Sequence, residues 1–494
     1  MSRCRVVAIG LDAAEQRLVQ RLIEAGEMPV LARLAAAGVS GRVSSPAPIG
    51  SGAVWPTFIT GTEPDVHGLF GEHSWNAATM ALEPPRFQHL EPFWRRLAAE
   101  GARVSVLDVP FAPVSDHPAI VDVADWGAHD WLGGRRMIRP AEIEARLHDL
   151  IESPHPLAAG QVDSTGPFDV DGLRNVIAAC TKGARLRGDV AIRLLEISRP
   201  DVLIVGLTEI HRASHLLWHT IDPHHPAWRE SGSALPADIM PGLVEVFRAA
   251  DAAIGRILDR AGAGAALVFS LHGMQPARGV PSFLGDVLER WGFAVRRGWS
   301  DRSLREHIGG LASAMKRRIP TAFKNAYYRR IPKTVTMRLA QPSMPMPAWD
   351  WSRTVAFSLP TDQHGWIRLN LRGRESKGIV PPEAYEETAR TIATRIRMLA
   401  SPEGPLVDDV LITGTARMTP RSLPDLVVHW TSATWRPELR LVDPPITSTS
   451  VGHRLVSQHD HDGFFIAEGF GTSGWPSSID AADLGVHLAE LVRG

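Results

Sequence analysis

Three histidines spaced four apart, His211, His215 and His219, lie in the stretch GLTEIHRASHLLWH (206–219). Residues i and i+4 share one helix face, so His211 and His215 could both aim an imidazole at one ion. Taken alone the pattern is weak. A chain with 20 histidines throws up HxxxH by chance, and a lone histidine on an apolar helix is more often a satisfied core residue. Its weight comes from the apolar run DVLIVGL (201–207), which leads straight into the helix. Two further runs end in the same way: VVAIGL (6–11) is followed by Asp12, and ALVFSL (266–271) by His272. Ligands of open α/β sheets bind just beyond the carboxyl ends of strands. Asp12, His211, His215 and His272 are therefore expected to converge.

A different chemistry is suggested by SGAVWPTFITGTEPDVHGLFG (51–71), which comes after a loop rich in Pro, Gly and Ser, SSPAPIGSG (44–52). A helix-compatible run begins at Ser51. A hydroxyl at a helix start faces unpaired N–H groups and the positive end of the helix dipole. The common use of such a serine is as an N-cap. The same place suits a nucleophile that must hold a transferred anion.

A sheet is needed to bring these residues together. VSVLDV (104–109) and FFIAEG (464–469) join the three runs above, and AAEQRLVQRLIEAGEMPVLARLAAAG (13–38) is helix-like and closed by glycine. Strand-like runs alternating with helical patterns indicate an α/β fold with a largely parallel sheet. The 494 residues, 44 % of them hydrophobic, suffice for a large core. A net charge of -1 leaves no basic footprint for nucleic acid. Two cysteines, Cys4 and Cys180, exclude a disulfide framework and a multi-cysteine zinc module. No apolar stretch reaches the roughly 18 residues of a membrane span. The chain enters a strand-like run at once, without room for a signal peptide, so a cytoplasmic location is expected. Only five of the 53 basic residues are lysine, a compositional bias. Two stretches read as insertions. Residues 130–195 are helical in pattern, and 296–349 contains KRRIPTAFKNAYYRRIPK (316–333), with no acidic residue between His307 and Ala348. This basic segment reads as a solvated arm or homodimer contact, or as a cationic lid over an anionic substrate or a patch for an acidic surface.

In order, strand-end Asp12, the hydroxyl at helix start Ser51, HxxxH at 211–215, SLHGM (270–274) and His459 resemble the alkaline phosphatase superfamily. The closer likeness is to its type I phosphodiesterase / nucleotide pyrophosphatase branch. WPTFITGTEPDVHG (55–68), HGWIRLNLRGRESKGIV (364–380), LPDLVVHW (423–430) and HDGFFIAEG (461–469) support it. The resemblance implies one alkaline-phosphatase-like catalytic domain over 1–494, a three-layer α/β/α core with a largely parallel central sheet. Residues 130–195 would be a helical insertion and 296–349 a basic insertion or cap. It also implies two divalent metals, usually zinc, flanking a threonine or serine nucleophile. By position, one metal falls to Asp12, Ser51, Leu271 and His272, and the other to His211, His215 and His459.

Two departures set this chain apart from the family pattern. Leu271 stands where a ligating aspartate is expected and cannot ligate; His211 replaces a carboxylate by a neutral imidazole. A three-histidine site with an open fourth position suits zinc. Asp12, Ser51 and His272 make an incomplete set that would need Glu209 or a substrate oxygen. One tight metal and a second, weak or substrate-dependent one are expected. His67 is expected to support the nucleophile loop. His219, His224 and His225 match no ligand position, and His461 should point away from His459. Sulfatase chemistry is disfavoured because SGAVW lacks the proline and arginine of C/S-x-P-x-R. The expected function is a metal-dependent hydrolase of a small phosphate ester, diester or nucleotide-type ahead of monoesters, with Ser51 as nucleophile. The alternatives are a one-metal enzyme with non-phosphoryl chemistry, or a catalytically silent metal-binding scaffold. The substrate is not legible, because specificity in such folds sits in inserted loops.

Overall fold

The structure, a computed structural model, describes residues 4–71, 73–83, 85, 87–127, 136–152, 155–156, 170–225, 227, 235–297, 346–360, 363–414, 424–436, 438–451, 456–471 and 475–493. Every strand-like run of the sequence is a strand. The main sheet is built from β1 (Val6–Leu11), β2 (Val39–Ser44), β3 (Val104–Leu107), β4 (Ile120–Ala124), β5 (Met137–Arg139), β6 (Val202–Leu207), β7 (Ala265–Ser270), β8 (Asp462–Glu468) and β9 (Ser478–Asp480). Their order is β9-β2-β8-β7-β1-β6-β3-β4-β5. The five strands from β7 to β4 are parallel, and β8 and β5 flank them antiparallel.

Alternation along the central strands explains the layering. Val7, Ile9 and Leu11 of β1 and Leu203, Val205 and Leu207 of β6 enter one apolar core; Val6, Ala8, Val202 and Ile204 enter another on the opposite face. Helices α1 (Gln16–Glu24), α2 (Pro29–Ala37), α4 (Val170–Ser198), α5 (Glu209–Leu217) and α6 (Gly242–Ala261) cover the first face. α3 (Val54–Thr60) and α7 (Ala481–Arg493) cover the second. The fold is a mixed α/β architecture around a mostly parallel sheet with both faces buried, which is why its central strands read as continuous apolar runs. Of the stretch 130–195, the described part comprises β5, the helix Glu142–Ile151 and α4, which lies along α6. The basic segment 316–333 lies outside the described residues.

A second core surrounds a four-stranded antiparallel sheet, in the order Ala356–Leu359, Gly365–Leu369, Leu426–Trp430, Val407–Ile412. The phrases LRGRE and LPDL supply its buried charges. Arg374 forks onto both oxygens of Asp425 at 2.7 Å and donates Nε to Glu375 at 2.9 Å. Arg368 and the Trp75 indole complete Glu375, while the Tyr385 hydroxyl and the Leu369 amide complete Asp425. Among the described residues no helix is long and apolar enough to cross a membrane.

Candidate active site

Three adjacent strands, β7, β1 and β6, deliver His272, Asp12 and the start of α5 to the same edge of the sheet. Asp12 is buried and uses both carboxylate oxygens: Oδ1 accepts the Trp55 indole N–H at 2.8 Å, and Oδ2 accepts from His211 Nδ1 at 2.7 Å. Gly10 makes the first contact possible. A Cβ there would lie 2.5 Å from Trp55 Cη2, so only glycine lets the indole cross β1 to reach Asp12. The Ser270 hydroxyl ties this edge together, accepting from the Ala14 amide at 3.0 Å and donating to the His272 carbonyl at 2.8 Å.

The strand Ser457–Asp460 docks on α5. The Val456 amide donates to the His215 carbonyl, the Ser457 hydroxyl donates to the Ser214 carbonyl, and His215 Nδ1 donates to the Ser457 carbonyl at 2.9 Å. The same strand pairs with Gly273–Pro276, setting His459 opposite Met274 and beside His272. Ligand atoms of His211, His215 and His459 consequently lie within 4.8 Å of one another, in a geometry that could hold a metal ion. His272 stacks on His459, with centroids 4.8 Å apart and planes at 6°.

Proton placement within this cluster is set by its partners. A carboxylate and a carbonyl can only accept, so His211 and His215 each carry their proton on Nδ1. Their two Nε2 atoms then face each other at 3.0 Å. Two ring nitrogens so placed can share one proton or ligate one cation, and outer hydrogen bonds of this kind are how a metal ligand pair is held. Burial and the neighbouring His211 push the His215 ring well below its usual range, and burial takes His272 down to about 4. Burial alone would raise the Asp12 carboxyl. The His211 ring, helped by His272 and the indole, outweighs it and brings the group down to about 2, so the carboxylate is charged at neutral pH.

Ser51 opens a 3-10 turn, Ser51–Ala53, that runs into α3; the N-cap is Gly50, not Ser51. A Cβ on Gly50 would collide with the Phe70 carbonyl, so glycine is required beside Ser51. The preceding loop is gripped at three successive carbonyls by the smaller sheet: His364 Nε2 donates to Ala47 at 3.2 Å, His429 Nε2 to Pro48 at 2.7 Å and Trp366 Nε1 to Ile49 at 2.8 Å. His67 braces α3 from the other side. Its Nδ1 accepts the Leu69 amide, so its Nε2 proton goes to the Thr57 hydroxyl at 3.0 Å, which donates to the Ala53 carbonyl. Burial keeps His67 down at about 4, and hence neutral.

Residues 6–429 match the family described as type I phosphodiesterase / nucleotide pyrophosphatase. The chain belongs to this family. It is accordingly a phosphodiesterase- or phosphatase-like hydrolase. Two solved structures of phosphonoacetate hydrolase from Sinorhizobium meliloti 1021, with phosphonoformate and with phosphonoacetate, share its fold at a TM-score of 0.55. They are 15 % and 16 % identical and cover 99 % of this chain and 96 % of that one. Murine ectonucleotide pyrophosphatase / phosphodiesterase 5 in complex with AMP aligns at a TM-score of 0.46 and 11 % identity, over 99 % of this chain and 95 % of that one. No curated protein matches the sequence.

Within this family fold, Asp12, His211, His215, His272 and His459 come together at one strand edge. Ser51 stands on the adjoining loop, linked to them through Trp55 one helical turn away. Glu209 turns elsewhere: its Oε1 meets Arg187 at 2.9 Å and His155 at 3.1 Å, and Arg187 also bonds Asp108. Residues two apart on a helix do not share a face, so the sequence already carried the reason that Glu209 cannot join His211. Leu271 is buried in the apolar core with Trp55 and Phe269. His219 lies apart at the end of α5, 6.4 Å from the His225 ring, and His461 is exposed. Trp55, Gln363 and Gln275 escaped the sequence reading, although Trp55 stands in the quoted phrase WPTF. The two glutamines donate to the His459 carbonyl at 2.7 and 3.2 Å.

Proposed function

We propose that this protein is a metal-dependent hydrolase of small phosphate esters, with diesters or nucleotide-type compounds preferred and Ser51 as nucleophile. The observation that carries the reading is the approach of the His211 and His215 Nε2 atoms, with His459 beside them, at the strand edge. Three imidazole ligands suit zinc, with one position open. When bound there, a divalent ion supplies Lewis-acid polarisation and acidifies water. The remaining roles belong to the chain. Ser51 Oγ attacks phosphorus in line, its P–O bond forming as the bond to the departing alkoxide breaks. Water then displaces Ser51, and the hydroxyl proton lost at the start is balanced by the proton gained by the alcohol. The clamped loop 47–49 and the His67–Thr57 brace hold Ser51 against the site throughout.

A second reading, a one-metal enzyme acting on a non-phosphoryl electrophile, draws support from Leu271, an apolar side chain where a second ion would want a carboxylate. Turnover of bis-p-nitrophenyl phosphate separates the two. The phosphoryl reading predicts zinc-dependent release of p-nitrophenol that Ser51→Ala removes; undiminished release in that variant rules out the covalent route.

A further inference from the structure

We infer that the centre is built for a single ion and that Asp12 is its outer carboxylate, not a ligand. The inference rests on the reading that the cluster binds a metal, and is independent of which ester is hydrolysed. Asp12 has both oxygens engaged, one by the Trp55 indole and one by His211. The second bond fixes the proton of His211 on Nδ1 and turns Nε2 towards His215, the standard work of a carboxylate behind a metal-binding histidine. The first places an N–H dipole on the oxygen that a second cation would otherwise approach.

The remaining groups on that side do not assemble a second set of ligands. Leu271 is 1 % exposed and packed in the apolar core. The His272 ring lies parallel to that of His459, so their in-plane lone pairs run side by side and do not meet at one point. His272 Nε2 is 4.0 Å from Asp12 Oδ1, and among the described residues the one group of three possible ligands is His211, His215 and His459. A catalytic zinc ordinarily takes three protein ligands. The three histidines meet that requirement with imidazoles alone, whereas the Asp12 side would have to use a carboxylate already held by Trp55 and His211.

The test is metal counting. Protein saturated with zinc and freed of excess by gel filtration should carry one ion per chain by elemental analysis; two would overturn the inference. Asp12→Asn keeps an acceptor for His211 Nδ1 and should still bind one ion, with a dissociation constant raised about 10- to 100-fold. An unchanged constant would remove Asp12 from its assigned role. Ser51→Ala and His272→Gln should keep the single ion, and its loss from either, in a chain whose circular dichroism shows it folded, would also overturn the proposal. A protein that binds one ion but hydrolyses no phosphate ester leaves this inference intact and sinks the proposed function. Two ions with full turnover does the reverse.

Discussion

Two of the polar clusters buried among the described residues use similar side chains to opposite ends. In the smaller sheet, Arg368 and Arg374 face Glu375 and Asp425, and each carboxylate is completed by a hydroxyl, an indole or an amide. Two cations meet two anions, and neither carboxylate needs anything from outside. At the strand edge, Asp12 is equally well completed, yet His211, which it orders, and His215, which the Ser457 carbonyl orders, turn their Nε2 atoms towards each other. A buried network with every charge answered holds a fold together, while one with a convergent surplus of donor atoms awaits a cation.

This contrast can be broken at several points. The largest effect is expected from Ser51→Ala, which should lower turnover of bis-p-nitrophenyl phosphate by about a thousandfold or more while leaving zinc content and thermal stability unchanged. A fall in zinc content instead would make Ser51 part of the metal site. Arg374→Ala strands Asp425 in the core and should destabilise the chain by about 3–5 kcal/mol, read by urea unfolding. Zinc binding by the remaining folded fraction should persist, and its loss would show that the two clusters are coupled. His429→Phe removes one donor from the grip on the loop before Ser51. One hydrogen bond is worth about 0.5–1.5 kcal/mol, so kcat should drop several-fold with zinc content unchanged, and His429→Gln, which can still donate, should recover part of it.

The smallest expected effect is a change of slope with pH. Folding lowers His67 from 6.5 to about 4. Between those values the unfolded chain binds the proton and the folded chain does not, so stability is whole above pH 6.5 and drains away as pH falls towards 4. His67→Gln should flatten that part of a melting-temperature profile. A parallel profile in the variant would assign the acid sensitivity elsewhere, with buried His219 the next group to test.

Much of the strand edge is legible in the sequence because it is encoded locally. Apolar runs mark β1, β6 and β7, and the residues just past the end of each run must emerge at the same edge. That places Asp12, His211, His215 and His272 without any tertiary knowledge. His459 is legible only through family resemblance, since nothing near it shows that its strand lies against α5. The hold on the nucleophile loop is not legible at all. His364 and His429 reach Ala47 and Pro48 across 317 and 381 residues of chain, and neither motif containing them carries a local sign of that contact. Conversely, LRGRE looks like a functional cluster of charges and is spent inside the second core.

The sequence by itself determined the alternation of strands and helices, the family, and which residue types stand at the strand ends, because periodicity and chain order are written along the chain. The tertiary structure alone decided what those residues face. Hydrogen-bond partners set proton positions, and partners come from distant segments: Trp55 and His211 claim Asp12, the Ser457 carbonyl claims His215, and only their joint geometry turns two histidines four residues apart into converging donors.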